Sequence, residues 1–207
     1  MENNADFEKE LVAIRQLMER SFRFISFSGL SGILAGIYAI AGSVAAYLQV
    51  RPSGDGGRYL LEDFQQPGAT TTLITIAIIV LVASLVTGFW VTHRRARRLG
   101  VPMLDEGGKR TLINLAIPLV TGGLFILILL ASDGFSLVAA TTLLFYGLAL
   151  VQASPNLFDE VRYLGYCEIA LGLIAAAIPG FGLYVWAFGF GVLHIVYGGL
   201  LLRKYEA

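Results

Sequence analysis

The sequence predicts an all-α fold, a polytopic membrane helical bundle of six transmembrane helices in three hairpins. Composition is the first reason, because 56% of the 207 residues are hydrophobic and only 14% are charged, whereas a soluble domain carries about 25% charged residues. The second reason is the length of the apolar runs, since a spanning helix needs roughly 20 mostly apolar residues. The third is the separation of lysine and arginine between alternate loops. The chain is therefore expected to be an integral membrane protein.

The apolar segments supply six spans when the last of them is divided in two. This last region runs from Tyr163 to Leu202, and Pro179-Gly180-Phe181-Gly182 breaks it into two helices. Residues 1–23 are expected to form a separate cytoplasmic amphipathic helix, and residues 24–203 the transmembrane domain. The predicted spans cover about residues 24–50, 69–92, 111–131, 135–153, 161–178 and 182–202. Helices are expected because backbone polar groups in lipid must be satisfied within the chain.

Lysine and arginine fall almost entirely on one side of these spans. Thirteen basic residues lie in the N-terminal arm, between spans two and three, before span five or after span six. Only Arg51 and Arg58 lie on the other side. The positive-inside rule therefore predicts that both termini are cytoplasmic.

Two cytoplasmic segments are candidates for contacts with other molecules. Residues 5–22 have an amphipathic pattern. This helix is expected to lie on the bilayer or on the bundle's own loops, or else to bind a partner, either a second copy or a cytoplasmic protein. A basic loop after span two is expected to fix the topology or to bind anionic lipid headgroups. Its arginines are Arg94, Arg95, Arg97 and Arg98. No nucleic-acid binding is expected, because the cluster is short and lacks a reading element.

Glu168 is the most informative residue, because it is the only Asp, Glu, Lys or Arg residue inside the predicted spans apart from Arg162, which lies at the edge of the fifth span. A carboxylate in hydrocarbon is costly, so an ionisable residue there is a functional-site hypothesis by default. His194 is expected at the same height, since the two residues lie at nearly equal distances from the Pro179–Gly182 turn. A Glu–His pair can share a proton, which lowers the free-energy cost of holding either group in lipid.

Other polar side chains are predicted near the depth of this pair. The outer halves of spans three, five and six are almost wholly apolar, so the sequence predicts a polar pocket in the cytoplasmic half, closed toward the outside. The candidate binding residues are Glu168, His194, Tyr146, Asn114 and Ser31. The alternative is that the Glu–His pair is structural, or that Glu168 snorkels to the surface.

Catalytic and cofactor chemistries fit the sequence poorly. Gly29-Leu30-Ser31-Gly32 resembles the serine motif of intramembrane rhomboid proteases, but it lies in the first span and the expected oxyanion helix is missing. Haem ligation is disfavoured because His93 and His194 differ in height by about 12 Å. Two histidines and one cysteine do not make a metal cluster. No enzyme activity, cofactor or metal is expected.

Small residues recur at spacings that allow close helix packing. Gly32 and Gly36 in span one are four residues apart, which favours contact within the bundle or between protomers of a homo-oligomer. Tyr146-Gly147-Leu148 and Tyr197-Gly198-Gly199 also compare well, as a tandem repeat of the second and third hairpins would require. Chance matches explain the similarity equally well, since the chain has 24 glycines.

The last fifty residues resemble a family by pattern. Arg162-Tyr163-Leu164-Gly165, Glu168-Ile169-Ala170-Leu171-Gly172 and His194-Ile195-Val196-Tyr197-Gly198-Gly199 are similar to segments of small six-helix bacterial inner-membrane proteins without assigned function. The hairpin style is also similar to that of the acid-resistance membrane proteins. The resemblance covers about a quarter of the chain. It implies a bacterial inner (cytoplasmic) membrane and a role in stress, and it carries over no catalytic residue.

The leading functional hypothesis is proton-linked or small-solute passage or sensing, centred on Glu168 and His194. The alternative is a membrane scaffold or anchor that binds a partner through its N-terminal helix and basic loop. An enzyme is the third hypothesis, and it would require a water-filled cavity that reaches Ser31 or Cys167.

Overall fold

A computed structural model describes residues 29–100, 106–132 and 134–206, so the predicted helix at residues 5–22 lies outside the described residues. The structure is 88% helical, and its described residues contain no strand. The α-helices are α1 (Gly29–Gln49), α2 (Leu61–Gln65), α3 (Ala69–Leu99), α4 (Glu106–Ala131), α5 (Val138–Ala153), α6 (Asp159–Ala177), α7 (Gly182–Trp186) and α8 (His194–Leu201). The predicted all-α class is confirmed.

A π-helical segment, Ala187–Leu193, joins α7 to α8. Together these elements make one continuous helix from Gly182 to Tyr205, called here the C-terminal span. A π-helical turn is wider than an α-turn and is frequent at functional sites. Two glycines of this segment, Gly189 and Gly191, are buried. The irregular part of the C-terminal span therefore faces the interior of the bundle.

Five helical segments are long and apolar enough to cross a membrane. They are Gly29–Gln49, Ala69–Arg98, Gly107–Ala131, Phe135–Ala153 and Gly182–Tyr205. The predicted fifth span, which corresponds to α6, is not among them, because its 19 residues include Asp159, Glu160, Arg162 and Glu168. The described helices are thus compatible with an integral membrane protein with five candidate spans, and α6 as a further span stays a prediction.

The bundle has two chemically different ends. The loop end contains residues 51–68 and the Pro179–Gly182 turn, and there Val50, Tyr59 and Leu183 pack together. The basic end contains the start of α6 and the end of the C-terminal span, which are joined by contacts of Glu160 with Lys204 and Tyr205. The described basic residues that belong to this end are Arg94, Arg95, Arg97, Arg98, Lys109, Arg110, Arg162, Arg203 and Lys204.

The helices pack in a definite order. α1 lies between α3 and the C-terminal span, and α5 lies between α4 and α6. The C-terminal span and α6 meet at the centre of the molecule. α3 and α4 are therefore the outer helices, and most of their large apolar side chains are exposed, as expected for surfaces covered by lipid.

Glycines allow two close helix crossings. A Cβ on Gly36 of α1 would lie 2.6 Å from the carbonyl oxygen of Gly191 in the C-terminal span. A Cβ on Gly147 of α5 would lie 2.7 Å from the carbonyl oxygen of Gly165 in α6. Since real Cβ atoms do not approach so closely, only glycine permits either crossing. Gly36, which the sequence predicts to mediate close packing, is thus used for a contact within the chain.

The basic cluster after the second span is helical, so its prediction as a loop was wrong. α3 continues past Thr92 to Leu99, and it ends at Gly100, which has φ +66° and donates its backbone N–H to the carbonyl oxygens of Ala96 and Arg97. Arginine is a good helix former, so the change from apolar to basic sequence does not itself end the helix. Glycine in the left-handed region is what ends it.

Asp63 organises the loop end. Its side chain is 1% exposed, and its Oδ2 accepts hydrogen bonds from the backbone N–H groups of Ser53 at 3.1 Å and Leu60 at 2.8 Å. The N–H of Tyr59 donates to the carbonyl oxygen of Gly180 at 2.9 Å. The loop is thus tied both to itself and to the turn before α7.

Candidate functional site

α6 and the C-terminal span bring Glu168 and His194 together in the bundle. Oε1 of Glu168 lies 3.5 Å from Nδ1 of His194, and the two side chains are 0% and 8% exposed. The residues meet because the Pro179–Gly182 turn folds one helix back along the other, which is the arrangement that the sequence predicts. Glu168 does not snorkel to the surface, because its side chain is fully buried.

The imidazole ring of His194 is held on both sides. Nδ1 lies 3.0 Å from the carbonyl oxygen of Gly189, which can only accept a hydrogen bond, so Nδ1 carries a hydrogen. Nε2 lies 2.8 Å from the hydroxyl oxygen of Tyr146. A neutral ring accepts a hydrogen bond from that hydroxyl, and a protonated ring donates one to it. His194 can therefore gain a proton without losing either hydrogen bond.

Glu168, unlike His194, has no hydrogen bonds to its polar atoms among the described residues. Neither carboxyl oxygen has a hydrogen-bond partner among the described residues, and the 3.5 Å separation from His194 exceeds the 2.7–2.9 Å typical of a charge-assisted hydrogen bond. Buried polar groups in proteins are nearly always hydrogen-bonded, so an exception needs an explanation. Glu168 is an uncompensated carboxyl group next to a fully bonded histidine.

The π-helical segment encloses this carboxyl group. A Cβ on Gly189 would lie 2.6 Å from Oε2 of Glu168 and 2.7 Å from Cδ2 of Leu143 on α5. Leu143 is itself 0% exposed. The carboxyl group is therefore packed between α5, α6 and the C-terminal span, in a space that exists only because residue 189 has no side chain.

Aromatic rings continue the site toward the loop end. The ring of Phe190 lies 4.9 Å from that of Tyr146 and 5.0 Å from that of Trp186, measured between centroids. The Phe190 ring also stacks on His194, with centroids 5.7 Å apart. These distances are typical of favourable aromatic pairs. Trp186, Phe190 and His194 form one row along the C-terminal span.

The other two predicted binding residues lie elsewhere in the bundle. Nδ2 of Asn114 donates to the carbonyl oxygen of Gln152 at 3.3 Å, which joins α4 to α5. Ser31 is half-buried in the first turn of α1. Of the five candidates, the structure brings Glu168, His194 and Tyr146 into one cluster, and Asn114 serves a separate helix contact.

The four predicted headgroup-binding arginines lie on the last turns of α3. Arg94, Arg97 and Arg98 are exposed, and Arg95 is half-buried. The guanidinium of Arg94 lies 5.3 Å from the ring centroid of Trp90, a cation–π distance. A tryptophan beside arginines is typical of a membrane interface, and binding of lipid headgroups here stays a prediction.

The cavities of the described chain differ from the predicted polar pocket. On the basic-end side of the cluster, a void of only about 20 Å³ is lined by His194, Gly32 and Glu160. Val161, Leu164 and Leu201 also line this void, so the space found there among the described residues is small and largely apolar. A larger cavity, of about 430 Å³, lies at the loop end instead.

Sequence reasoning missed Gly189 and Phe190, which complete the site. Both lie within Gly189-Phe190-Gly191, a glycine-flanked aromatic in an otherwise apolar run. Gly189 and Phe190 gave no chemical signal in the sequence, because neither side chain ionises. The two glycines, five and three residues before His194, were the available sign that the helix is irregular there.

Comparison with known proteins finds no matching family model, no similar curated protein and no similar solved structure. The resemblance to six-helix bacterial membrane proteins stays a prediction. The site must therefore be interpreted from its own geometry.

Proposed function

We propose that the protein is a six-span membrane protein in which Glu168 takes up and releases a proton, for proton-linked passage or sensing. The observation that carries this proposal is the carboxyl group of Glu168, which is fully buried, lacks a hydrogen bond and lies 3.5 Å from His194. Burial of an ionisable group costs free energy, so the simplest explanation for its presence is that the protein uses its change of charge.

The six-span topology is supported by how α6 is packed. α6 lies along α5, with Gly165 against Gly147 and Gly172 against Leu144. Glu168 faces the interior of the bundle, so a sixth crossing would not expose its carboxyl group to lipid. The concentration of basic residues at one end supports a cytoplasmic location for that end. A bacterial inner membrane is the expected setting.

The proton chemistry follows from the surroundings of Glu168. An ionised carboxylate without a partner is highly unfavourable in a dry interior, so we infer that Glu168 carries its proton in this conformation. Release of the proton then requires either a protonated His194 beside the carboxylate or a rearrangement that admits water. Proton occupancy is thereby linked to the conformation of the neighbouring π-helical segment.

A proton is favoured over a larger solute as the species that reaches this site. The void between His194 and Glu160 has a volume of about 20 Å³, room for about one water molecule. No solute larger than water fits there in this conformation. The void also lies on the basic-end side of the cluster, which supports proton exchange with the cytoplasmic side.

The test is proton flux into liposomes that contain the purified protein and an entrapped pH-sensitive dye, driven by a potassium diffusion potential. Wild type is expected to carry a proton current, and Glu168→Gln to abolish it while retaining its helical content and its elution volume. Glu62→Gln is the matched control, because Glu62 is an exposed glutamate on α2 at the loop end.

A sensing role would give no flux but a pH-dependent change of conformation. The readout for it is the intrinsic fluorescence of Trp186 in a Trp90→Phe background, because Trp186 is joined to His194 through Phe190. The proposal is overturned if Glu168→Gln and wild type have the same flux and the same pH dependence of fluorescence.

The alternative function, a scaffold or anchor, is supported by the exposure of Arg94, Arg97 and Arg98 on the last turns of α3. It predicts that deletion of residues 1–20 removes partner binding, whereas Glu168→Gln preserves it. Comparison of these two variants in one pull-down experiment separates the alternatives.

A further inference from the structure

A cavity of about 430 Å³ lies at the loop end, among α1, α3, α5, α7 and residues 58–64. This volume is within the range of roughly 300–1,000 Å³ that is usual for small-molecule sites. The cavity is partly open, and α3 and α5 line it from different sides without extensive packing against each other. It is separate from the Glu168 cluster, and the proposed proton chemistry does not use it.

The interior of this cavity is apolar. Leu73 and Ile76 of α3, Ala139 of α5, and Leu183 and Trp186 of the C-terminal span contribute to its walls. Such walls attract hydrocarbon and offer little to water or to a polar solute.

The two hydroxyl groups that α1 and α5 contribute to the wall are already engaged. Oγ of Ser43 donates to the carbonyl oxygen of Ala39 at 2.9 Å, and Oγ1 of Thr142 donates to that of Ala139 at 2.8 Å. The hydroxyl of Ser136 lies at the exposed mouth, whereas the hydroxyl of Tyr59 is buried and has no hydrogen-bond partner among the described residues. Polar contacts with a ligand are therefore expected beside the loop, where Tyr59 lies, and hydrocarbon contacts deeper in the cavity.

Arg58 places a positive charge at the mouth. Its side chain is exposed, lines the cavity and crosses the Pro179–Gly182 turn, where a Cβ on Gly180 would lie 2.5 Å from Cγ of Arg58. The guanidinium has no ion pair or hydrogen bond within the described part of the chain. No carboxylate is among the residues that line the cavity. A cation at the mouth and an apolar interior together define a site for an amphiphile.

We propose that this cavity binds a lipid with an anionic headgroup, its hydrocarbon chain between α3 and α5 and its headgroup on Arg58. The surrounding bilayer supplies such chains at high local concentration, and arginine binds carboxylate and phosphate oxygens well. A free fatty acid and an anionic phospholipid share this chemistry, so the ligand is defined as an anionic group attached to a hydrocarbon chain.

Trp186 provides a direct readout because it is part of the cavity wall. The chain has two tryptophans, so Trp90→Phe leaves Trp186 as the only one. This variant, in nanodiscs of phosphatidylcholine, is titrated with dibromostearate, whose bromine atoms quench tryptophan fluorescence at short range. Saturable quenching is expected. Arg58→Gln in the same background is expected to weaken the apparent affinity about tenfold, which corresponds to the loss of one charge-assisted contact.

A cavity-filling variant tests the position of the chain. Ala139→Phe is expected to remove the saturable component. Leu148→Phe, which introduces the same side chain at an exposed position of α5 outside the cavity wall, is expected to leave it unchanged. Should Ala139→Phe not fold, Ser136→Phe narrows the exposed mouth instead. A parallel titration with brominated phosphatidylglycerol separates the two lipid sources.

The proposal is overturned if quenching rises linearly with probe content and is the same in all variants, because that result means partitioning into the bilayer. It is equally overturned if brominated phosphatidylcholine quenches as strongly as the anionic probes, or if Arg58→Gln has no effect. These outcomes are independent of proton flux, so failure here leaves the proposed function of Glu168 untouched.

Discussion

Gly189 lies directly against the carboxyl group of Glu168, so closely that a Cβ on Gly189 would be 2.6 Å from Oε2. The space for the buried carboxyl group of Glu168 is therefore set by Gly189, a residue with no side chain. Because Gly189 belongs to the π-helical segment, a change in the helical geometry there would change the surroundings of Glu168 directly.

Replacement of Gly189 by alanine is expected to displace the carboxyl group and Leu143. Overpacking of this kind costs about 1–3 kcal/mol, so the thermal midpoint in detergent should fall by several degrees, at roughly 2–4 °C per kcal/mol. Gly199→Ala is the matched control, because a Cβ there meets nothing within 4 Å. Equal midpoints for the two variants would show that the carboxyl group is free to move away.

Loss of the Tyr146 hydroxyl is expected to destabilise the protein. Tyr146→Phe removes the group 2.8 Å from Nε2 of His194 and leaves a buried nitrogen without a partner, which costs about 1–3 kcal/mol. Tyr166→Phe is the control, since Tyr166 is 50% exposed. Thermal unfolding of both variants measures the difference, and a smaller loss for Tyr146→Phe than for Tyr166→Phe would argue against the hydrogen bond.

Replacement of Glu168 by methionine is expected to stabilise the protein while it abolishes function. The carboxyl oxygens have no hydrogen bonds among the described residues, so removal of an unsatisfied buried polar group should return about 1–3 kcal/mol. Methionine is chosen because its flexible, unbranched chain fits irregular space. A rise in the thermal midpoint together with loss of proton flux is predicted. A marked fall in the midpoint would instead assign Glu168 a structural role.

The loop end is expected to loosen in acid through Asp63. Burial acts to raise the pKa of Asp63, but the hydrogen bonds from Ser53 and Leu60 outweigh it and hold this pKa below its usual range. A lowered folded-state pKa means that the carboxylate stabilises the loop above the unfolded pKa of about 3.9. That stability is lost as the pH falls through the folded-state pKa.

Hydrogen exchange of residues 51–68, corrected for intrinsic rates, measures this effect. Wild type should remain protected from neutral pH down to about pH 4 and lose protection below it. Asp63→Asn should be less protected at neutral pH and show little further change in acid. Glu62→Gln, which alters the exposed neighbouring carboxylate, should behave as wild type. Loss of protection already at pH 6 in wild type would contradict the account.

The sequence predicted those features that depend on hydrophobic length and on helix reversal. Glu168 and His194 meet because a Pro-Gly turn lies nearly midway between them, and this relation can be counted along the chain. The helical class follows from the length of the apolar runs, which leave backbone groups no other partners in lipid.

Features that depend on packing were not predictable in the same way. Where a polar pocket is expected near His194, the described residues leave only a small void lined by Val161, Leu164 and Leu201, and the larger cavity is bounded by the loop and by α3. Hydropathy along a helix does not reveal which helix faces pack together and which leave a cavity between them. The helical geometry of Arg94–Arg98 depended on Gly100, a local stop signal that the change in charge concealed.

The most direct test of the central claim is the infrared spectrum of the carboxyl group of Glu168. The carbonyl band of a protonated carboxylic acid is recorded for wild type and Glu168→Gln as the pH is raised over the range in which both remain folded. The account predicts a band that is present in wild type, absent in the variant, and reduced reversibly as the pH rises. A wild-type spectrum with no band dependent on Glu168, or with a band that never responds to pH, would contradict proton exchange at Glu168.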